Sequence, residues 1–503
     1  MAAMGLFAGG VAMPSAKAAD LGGDCCADLE ERVAELEATT VRKGNRKVSL
    51  TVTGQVNRAV VWWDDGFQSK TYYGVDNTNS SSRFIFNGSA KVTPKVTMGF
   101  EIMIEIEAGG TTSKLNQFDE DGTLSTSTGF GISGTTRLNV PNADPYFGDA
   151  RRVAYWIEHA DLGRLTIGRW ESAGVLGTID LTGHIFLPAS AAFGLVMGGN
   201  FIRGNNGQFY GMTWAGSTGI SDPAANNPGR TEGVRYDSPS WNGFIYSASI
   251  NEAGDYWGTM VRYANEFNGF RVAGTVGYEK IHDRFTPATI DPTNVAFTGP
   301  IPDITVWGYA LSVMHVPTGL FVQGHWNQAD FGPSGDQGFA GYWGQAAGQA
   351  SQKPGSQWLI QAGVSKNWFG YGNTSIYAEY GDARDWGASD QGRNFAGTST
   401  TTNCNGAQPG IISGPCIAGV ANFVSVNGVV STDLRIWGVG IVQNFSAAAT
   451  DVYLGWRHFE ADVLCTGTPT AQGACAGANT GTAAHKLPIE GMDVIQGGAR
   501  ILF

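Results

Sequence analysis

The stretch Lys95-Val96-Thr97-Met98-Gly99-Phe100-Glu101-Ile102-Met103-Ile104-Glu105-Ile106-Glu107 decides how this chain is read. Val96, Met98, Phe100, Ile102, Ile104 and Ile106 fall on one face of a period-two pattern. Thr97, Gly99, Glu101, Glu105 and Glu107 fall on the other, broken only by Met103. That period belongs to an extended strand, whose successive side chains point to opposite faces. Upstream, Phe84, Phe86, Gly88, Ala90 and Val92 alternate in the same way with Arg83, Asn87, Ser89 and Lys91. The Pro94-Lys95 step between the two segments reads as a tight turn, because proline cannot continue a central ladder.

Repeated along the chain, this reading gives about sixteen strands, from 47–63 through 431–445, 450–461 and 489–503. The connections alternate in length. Short ones carry turn chemistry, as at Asp161-Leu162-Gly163, Asn242-Gly243, Asn268-Gly269 and Pro317-Thr318-Gly319. Asn-Gly is a hairpin signal because both residues tolerate positive φ. Between them run long stretches rich in Gly, Ser, Thr and Asn. Short turns on one side and long loops on the other are the habit of membrane-spanning barrels.

Composition agrees. Charged residues make up 15% of the 503-residue chain, against about 25% in soluble domains. Its 72 glycines are roughly twice the usual share of about 7%. No stretch approaches the roughly 18 consecutive apolar residues of a spanning helix. In lipid every backbone N–H and C=O must be paired within the protein, so strands cross only as a closed barrel. The expected fold is therefore all-β, a sixteen-stranded antiparallel transmembrane barrel over 46–503. Trp62-Trp63, Trp156, Trp170, Trp241, Trp257, Trp368 and Trp456 lie near strand ends, as aromatic girdles do. A net charge of -12 without basic clusters argues against nucleic acid as a partner.

Met1 to Met13 is apolar and ends in Pro14-Ser15-Ala16-Lys17-Ala18, a small-residue cleavage pattern, so 1–18 reads as a secretory signal peptide. No Lys or Arg precedes the apolar run, as expected if the signal starts further upstream. A periplasmic segment over 19–45 follows. Within it Cys26, Leu29, Val33, Leu36 and Thr40 keep a 3-4 spacing, the seam of a short coiled-coil helix over about 26–40. Two heptads do not associate alone, but tethering to an oligomeric barrel raises their effective concentration. Export permits disulfides. Cys404 and Cys416 share one long loop, and Cys465 and Cys475 another, so pairing within each loop or across the two is open. Cys25-Cys26 allows a cross-link between subunits or a lipoprotein site. No C-x-x-C or Cys/His spacing points to zinc, and no cofactor is implied.

The end Arg500-Ile501-Leu502-Phe503, with Arg235-Tyr236-Asp237-Ser238-Pro239, Gly168-Arg169-Trp170 and the opening from Cys25-Cys26-Ala27-Asp28-Leu29-Glu30 to Lys43-Gly44-Asn45-Arg46-Lys47, resembles alphaproteobacterial, rhizobial-type trimeric general porins. That resemblance implies a homotrimer in the bacterial outer membrane, among lipid and lipopolysaccharide, with Phe503 as the signal to the barrel assembly machinery. The mature start Ala19-Asp20 is similar to starts attached to peptidoglycan. The function implied is passive diffusion of ions and small hydrophilic solutes. It further implies that the longest loop, about 173–231 and third in order, folds into the lumen. By the same resemblance Arg83, Arg169 and Arg235 line the constriction and face Asp180 and Glu171. Glu101, Glu105 and Glu107 form an acidic row suited to cations. Competing classes are a solute-selective porin, an outer-membrane hydrolase and a structural tether or adhesin. The hydrolase would need a serine beside one of the strand histidines, His159, His315, His325 or His458.

Overall fold

The computed structural model describes residues 48–106, 111–112, 115–117, 149–174, 177–189, 199–214, 230–251, 254, 256–281, 304–331, 353–385, 388, 393–395, 426–469, 475–476 and 483–503. Sixteen antiparallel strands form the wall. They are β1 Ser49–Asp64, β2 Arg83–Thr93, β3 Val96–Glu105, β4 Asp149–His159, β5 Gly163–Glu171, β6 Arg230–Asp237, β7 Phe244–Asn251 and β8 Tyr256–Phe267. The wall continues with β9 Phe270–Ile281, β10 Ile304–His315, β11 Leu320–Phe331, β12 Gly355–Lys366, β13 Thr374–Arg384, β14 Val426–Phe445, β15 Thr450–Cys465 and β16 Met492–Leu502. Each pairs with its neighbour in sequence, and β1 pairs with β16, so the sheet has no free edge.

The hairpin signals do what their chemistry requires. Asn242 and Gly243 have φ of 48° and 90°, Asn268 and Gly269 have 50° and 79°. Two consecutive positive values twist a two-residue turn in the same sense as the strands it joins. Period two then sorts the side chains. On β1, Val52, Val56 and Val60 are exposed on the outer face, whereas Gln55, Asn57, Ala59, Val61 and Trp63 are buried inside. Outward exposure of Val153, Tyr155, Ile157, Leu165, Val234 and Tyr236 continues the apolar belt around β4 to β6.

Two features depart from the sequence reading. Strands β14 and β15 have 20 and 16 residues, longer than the spans 431–445 and 450–461 and than the roughly 9–11 residues that cross a bilayer. Beyond the belt their outward positions turn ionic: Arg435 pairs with Asp462 at 2.8 Å and Glu460 at 3.5 Å. Those charges end the apolar alternation without ending the ladder. Second, the inner face is not uniformly polar. At the long-loop end Trp63, Ile436, Phe459 and Val494 form an apolar core inside the barrel with Ile202, Tyr210, Met212 and Trp214 of the third loop. That loop contains a small hairpin, Phe201–Arg203 with Phe209–Thr213, tied to the first loop by Arg203 and Asp65 at 2.8 Å.

Closure is completed by the last residue. Gly54 N–H donates to the Phe503 carbonyl at 2.9 Å, and Phe503 N–H donates back at 3.1 Å. A Cβ on Gly54 would stand 2.5 Å from both the Arg83 carbonyl and the Phe503 ring, and the backbone of β2 cannot yield as a side chain can. Gly54→Val should therefore destabilise the barrel by about 1–3 kcal/mol, the usual cost of overpacking. The measurement is a lower temperature for the shift from folded to unfolded mobility on a detergent gel.

Candidate functional site: the lumen wall and the third loop

After β5 the chain turns inward. Ala173 N–H donates to Ser249 Oγ of β7 at 2.7 Å, and Ser172 Oγ to Glu279 of β9 at 2.8 Å. Residues 177–189 then cross the barrel interior. Ile179, Leu181 and Ile185 pack on Ala273, Ala310, Met314, Phe321 and Tyr377, which project inward from β9, β10, β11 and β13. A loop buried in this way must have its carbonyls satisfied. The wall supplies the donors: Ser312 Oγ to Ile179 O at 2.5 Å, Gln496 Nε2 to Leu187 O at 3.2 Å and Arg500 Nη2 to Gly183 O at 3.3 Å. From the first loop Asn77 reaches Leu187 O at 2.6 Å and Asn79 reaches Ala189 O at 2.8 Å. Thr178 meets His325 and His184 meets Ser375, each at 2.6 Å. The segment is held at both ends and in the middle.

Buried ion pairs lie on the loop's side of the wall, Arg457 with Glu379 and Arg500 with Asp451, each at 2.6 Å, but the larger charged array is carried by β2 to β6, with β8 beyond them. Between Met103 and Ile104 the β3–β4 register slips, so that Met103 faces Arg152 and Ile104 faces Ala150. The extra residue of such a bulge breaks the alternation, and consecutive Arg151 and Arg152 both reach acids of β3. Arg151 pairs with Glu105, to which Ser81 Oγ also donates. Arg152 pairs with Glu101 at 2.8 Å and with Glu171 at 2.6 Å, while Arg230 reaches Glu171 at 3.2 Å. Arg152 and Arg164 also lie over the Trp170 ring. Further along, Asp237 accepts from Arg235 at 2.8 Å and Arg262 at 2.6 Å. Arg83 instead donates to the Ser81 carbonyl at 2.9 Å and has no carboxylate within ion-pair distance among the described residues.

Of the expected constriction residues, Glu101, Glu105, Glu171 and Arg235 are thus brought into one continuous charged wall, with Arg83 beside it. Arg169 is not. Its register partners are Val153 and Glu232, and Val153 belongs to the exposed outward face. Asp180 lies on the inserted segment but faces its own loop: Thr182 N–H and Oγ1–H donate at 2.8 and 2.7 Å, Ile185 N–H at 3.0 Å. Its carboxylate fixes a turn, a habit of aspartate in loops. Arg151, Arg152, Arg230, Asp237 and Arg262 were not singled out from the sequence. The Arg151-Arg152 pair is visible there, but strict alternation sends one member to lipid, and only the bulge brings both inward.

Cys465 and Cys475 are joined as a disulfide within one loop region. Cys404, Cys416, Glu107, the signal segment and the seam Cys26, Leu29, Val33 and Leu36 lie outside the described residues. The serine–histidine contact that a hydrolase would need does occur, at Ser375 and His184, but Ser375 is wholly buried and hydrogen-bonded to Ser365 at 2.7 Å. It anchors a loop and presents no nucleophile.

An apolar-skinned closed barrel with an ionised inner wall defines a membrane channel. Residues 5–464 match the Gram-negative porin family, and the chain belongs to it. It is a porin of the bacterial outer membrane, a passive channel for ions and small hydrophilic solutes. No curated relative matches the sequence. Among solved structures it is similar to outer-membrane-expressed OmpT of Vibrio cholerae, at 10% identity and a TM-score of 0.44, covering 92% of this chain and 99% of that one. It is similar also to the outer-membrane channel DcaP of Acinetobacter baumannii, at 10%, 0.43, 92% and 99%. For Salmonella typhi OmpF in complex with daunomycin the values are 9%, 0.41, 92% and 99%. These likenesses are distant, and the family rests on the sequence match.

Removing Arg152 would leave Glu101 and Glu171 facing each other across a narrow space. Arg152→Ala should cost about 1–3 kcal/mol, the range for stranding a hydrogen-bonded partner, and should move the reversal potential in a salt gradient towards the cation side. Arg152→Lys, which keeps charge but loses the two-pronged geometry, should restore most of the selectivity and less of the stability.

Proposed function

We propose that this chain is a general porin of the alphaproteobacterial, rhizobial type, working as a homotrimer without covalent chemistry, in which residues 177–189 narrow the channel. The observation that carries the reading is the anchoring of 177–189 across the interior, from Ser312 of β10 to Asn79 of the first loop, while the charged wall of β2 to β6 lies elsewhere on the circumference. Solutes pass between the two. Size is set by the loop, and charge preference by the wall, because low-dielectric surroundings strengthen a field across a narrow lumen.

The sign of that preference follows from pairing. Glu101 and Glu105 are engaged by Arg152 and Arg151, so the acidic row supplies little uncompensated negative charge. Arg83 pairs with no carboxylate among the described residues and retains its positive charge, and the constriction leans towards anions. The same reading carries a cleaved signal over 1–18, a periplasmic segment over 19–45 with its coiled-coil seam, and the barrel over 46–503. Phe503 serves recognition by the assembly machinery, lipid and lipopolysaccharide surround the trimer, and Ala19-Asp20 offers an attachment to peptidoglycan.

Planar bilayers test the reading directly. Purified protein should form ohmic channels in steps of three, with anions favoured in a salt gradient. Arg83→Ala should reduce that preference and Arg169→Ala should leave it unchanged; the opposite pattern overturns the assignment. Combined Ser312→Ala and His184→Ala substitutions should free the segment and give noisier, larger conductance. Unaltered current traces would show that 177–189 does not limit flow.

A further inference from the structure

Cys465, Cys475 and His485 follow one another at intervals of 10 residues, too far apart to read as a motif. The fold brings them to one corner at the long-loop end of β15. Cys465 ends that strand, and the ladder sets His485 directly opposite it. Cys475 lies on the two-residue segment Cys475–Ala476, paired with Thr468–Pro469. Both cysteines are fully buried and joined as a disulfide. His485 Nε2 stands 3.1 Å from Cys475 Sγ and 4.0 Å from Cys465 Sγ. The three potential ligand atoms all lie within 4.8 Å of one another.

We propose that the reduced form of this corner binds a soft tetrahedral divalent cation of the zinc type, held by the Cys465 and Cys475 thiolates and His485 Nε2. Tetrahedral zinc takes sulfur at about 2.3 Å and imidazole nitrogen at about 2.0–2.1 Å, which places the ligand atoms roughly 3.5–3.8 Å apart. The two sulfur–nitrogen separations bracket that range. The sulfurs need part by only about 2 Å from bonded contact, Cys465 at the end of β15 and Cys475 on its two-residue ladder segment. Two thiolates with an imidazole select zinc-like cations over calcium or magnesium, which prefer oxygen. With these three protein ligands, a fourth position is left for water.

The chemistry balances with a small thiol as reductant. Two thiols attack the disulfide, are joined to each other, and leave Cys465 and Cys475 each with one electron and one proton more. The cation then displaces both thiol protons, while neutral His485 donates its Nε2 lone pair. The oxidised corner is a covalent staple, and the reduced one becomes a coordination staple between the same segments.

The test uses full-length folded protein in detergent, with Cys25→Ser, Cys26→Ser, Cys404→Ser and Cys416→Ser so that one cysteine pair remains. After reduction by a phosphine without oxygen, cobalt(II) is titrated. One cobalt per chain should give thiolate charge-transfer bands and the visible spectrum of a tetrahedral site, and one equivalent of zinc should abolish both. The disulfide form should give neither, and His485→Ala should weaken binding by about tenfold or more, since even the outer-shell partners of metal ligands are worth about 10–100-fold. Absence of thiolate bands in the reduced protein, or equal affinity in His485→Ala, overturns the site. Should the four-serine chain fail to fold, the reduced native chain is compared with Cys465→Ser/Cys475→Ser. One additional metal per native chain supports the proposal, and equal stoichiometry sinks it. Conductance of the same samples is independent: a protein that conducts but takes up no cobalt keeps its channel and loses the metal site.

Discussion

Every strand of this wall exists because an unpaired amide in hydrocarbon is more costly than any side-chain preference the sequence can express. The ladder must close, and it closes where Gln55–Asp64 of β1 pairs along β16 while Ser49–Gln55 pairs with β2. One strand thus passes from one neighbour to the other, its Arg58–Asp64 stretch also pairing with the first-loop strand Ser69–Asp76, and Gly54 with Phe503 joins the two stretches. With no edge remaining, the outer face needs only to be apolar and the inner face is free to vary. That freedom permits an apolar core around Trp63 and Phe459 at one end and ion pairs elsewhere on the same inner face.

The inserted segment obeys the same rule in a wetter setting. Residues 177–189 bring a run of carbonyls into the interior, and the wall answers with Ser312, Gln496, Arg500, Asn77 and Asn79. Lumen polarity therefore has two uses that a sequence pattern cannot separate. Some inward hydroxyls and amides meet solvent, and others meet a loop. On β9 to β13 small or apolar residues such as Ala273, Ala310 and Phe321 stand among them, and they mark wall that the loop covers.

This explains which parts of the fold were legible. Strand positions and hairpin turns were, because alternation and Asn-Gly are local signals that lipid and backbone twist enforce. The length of β14 and β15 was not, since the ladder runs on past the belt into outward-facing Arg435, Glu460 and Asp462. At the lumen the acids Glu101 and Glu105 followed from phase alone. Arg151 with Arg152 did not, because a bulge depends on two strands and leaves no mark on either. Arg169 differs: the resemblance sets it at the constriction, whereas alternation, unbroken in register from Leu165 to Arg169, gives it the outward phase of Leu165 and Val153. Asp180 was read as an acid in a loop with few others, yet its nearest donors lie only two and five residues downstream.

Ion pairing on the wall has a consequence for conduction that charge counting misses. A carboxylate held by a guanidinium contributes a dipole, whose field decays faster with distance than that of a free charge. Seen from the channel axis, Arg152 with Glu101 and Glu171, and Arg235 with Arg262 around Asp237, largely cancel. On the proposed reading a passing ion senses the remainder, and Arg83, which donates to the Ser81 carbonyl and pairs with no carboxylate among the described residues, is the clearest part of it. Pairing also keeps the guanidinium planes fixed, so the wall holds its shape while the field stays weak. A rigid, nearly neutral wall screens solutes first by size and only then by sign, which is what a passive pore for mixed small solutes requires.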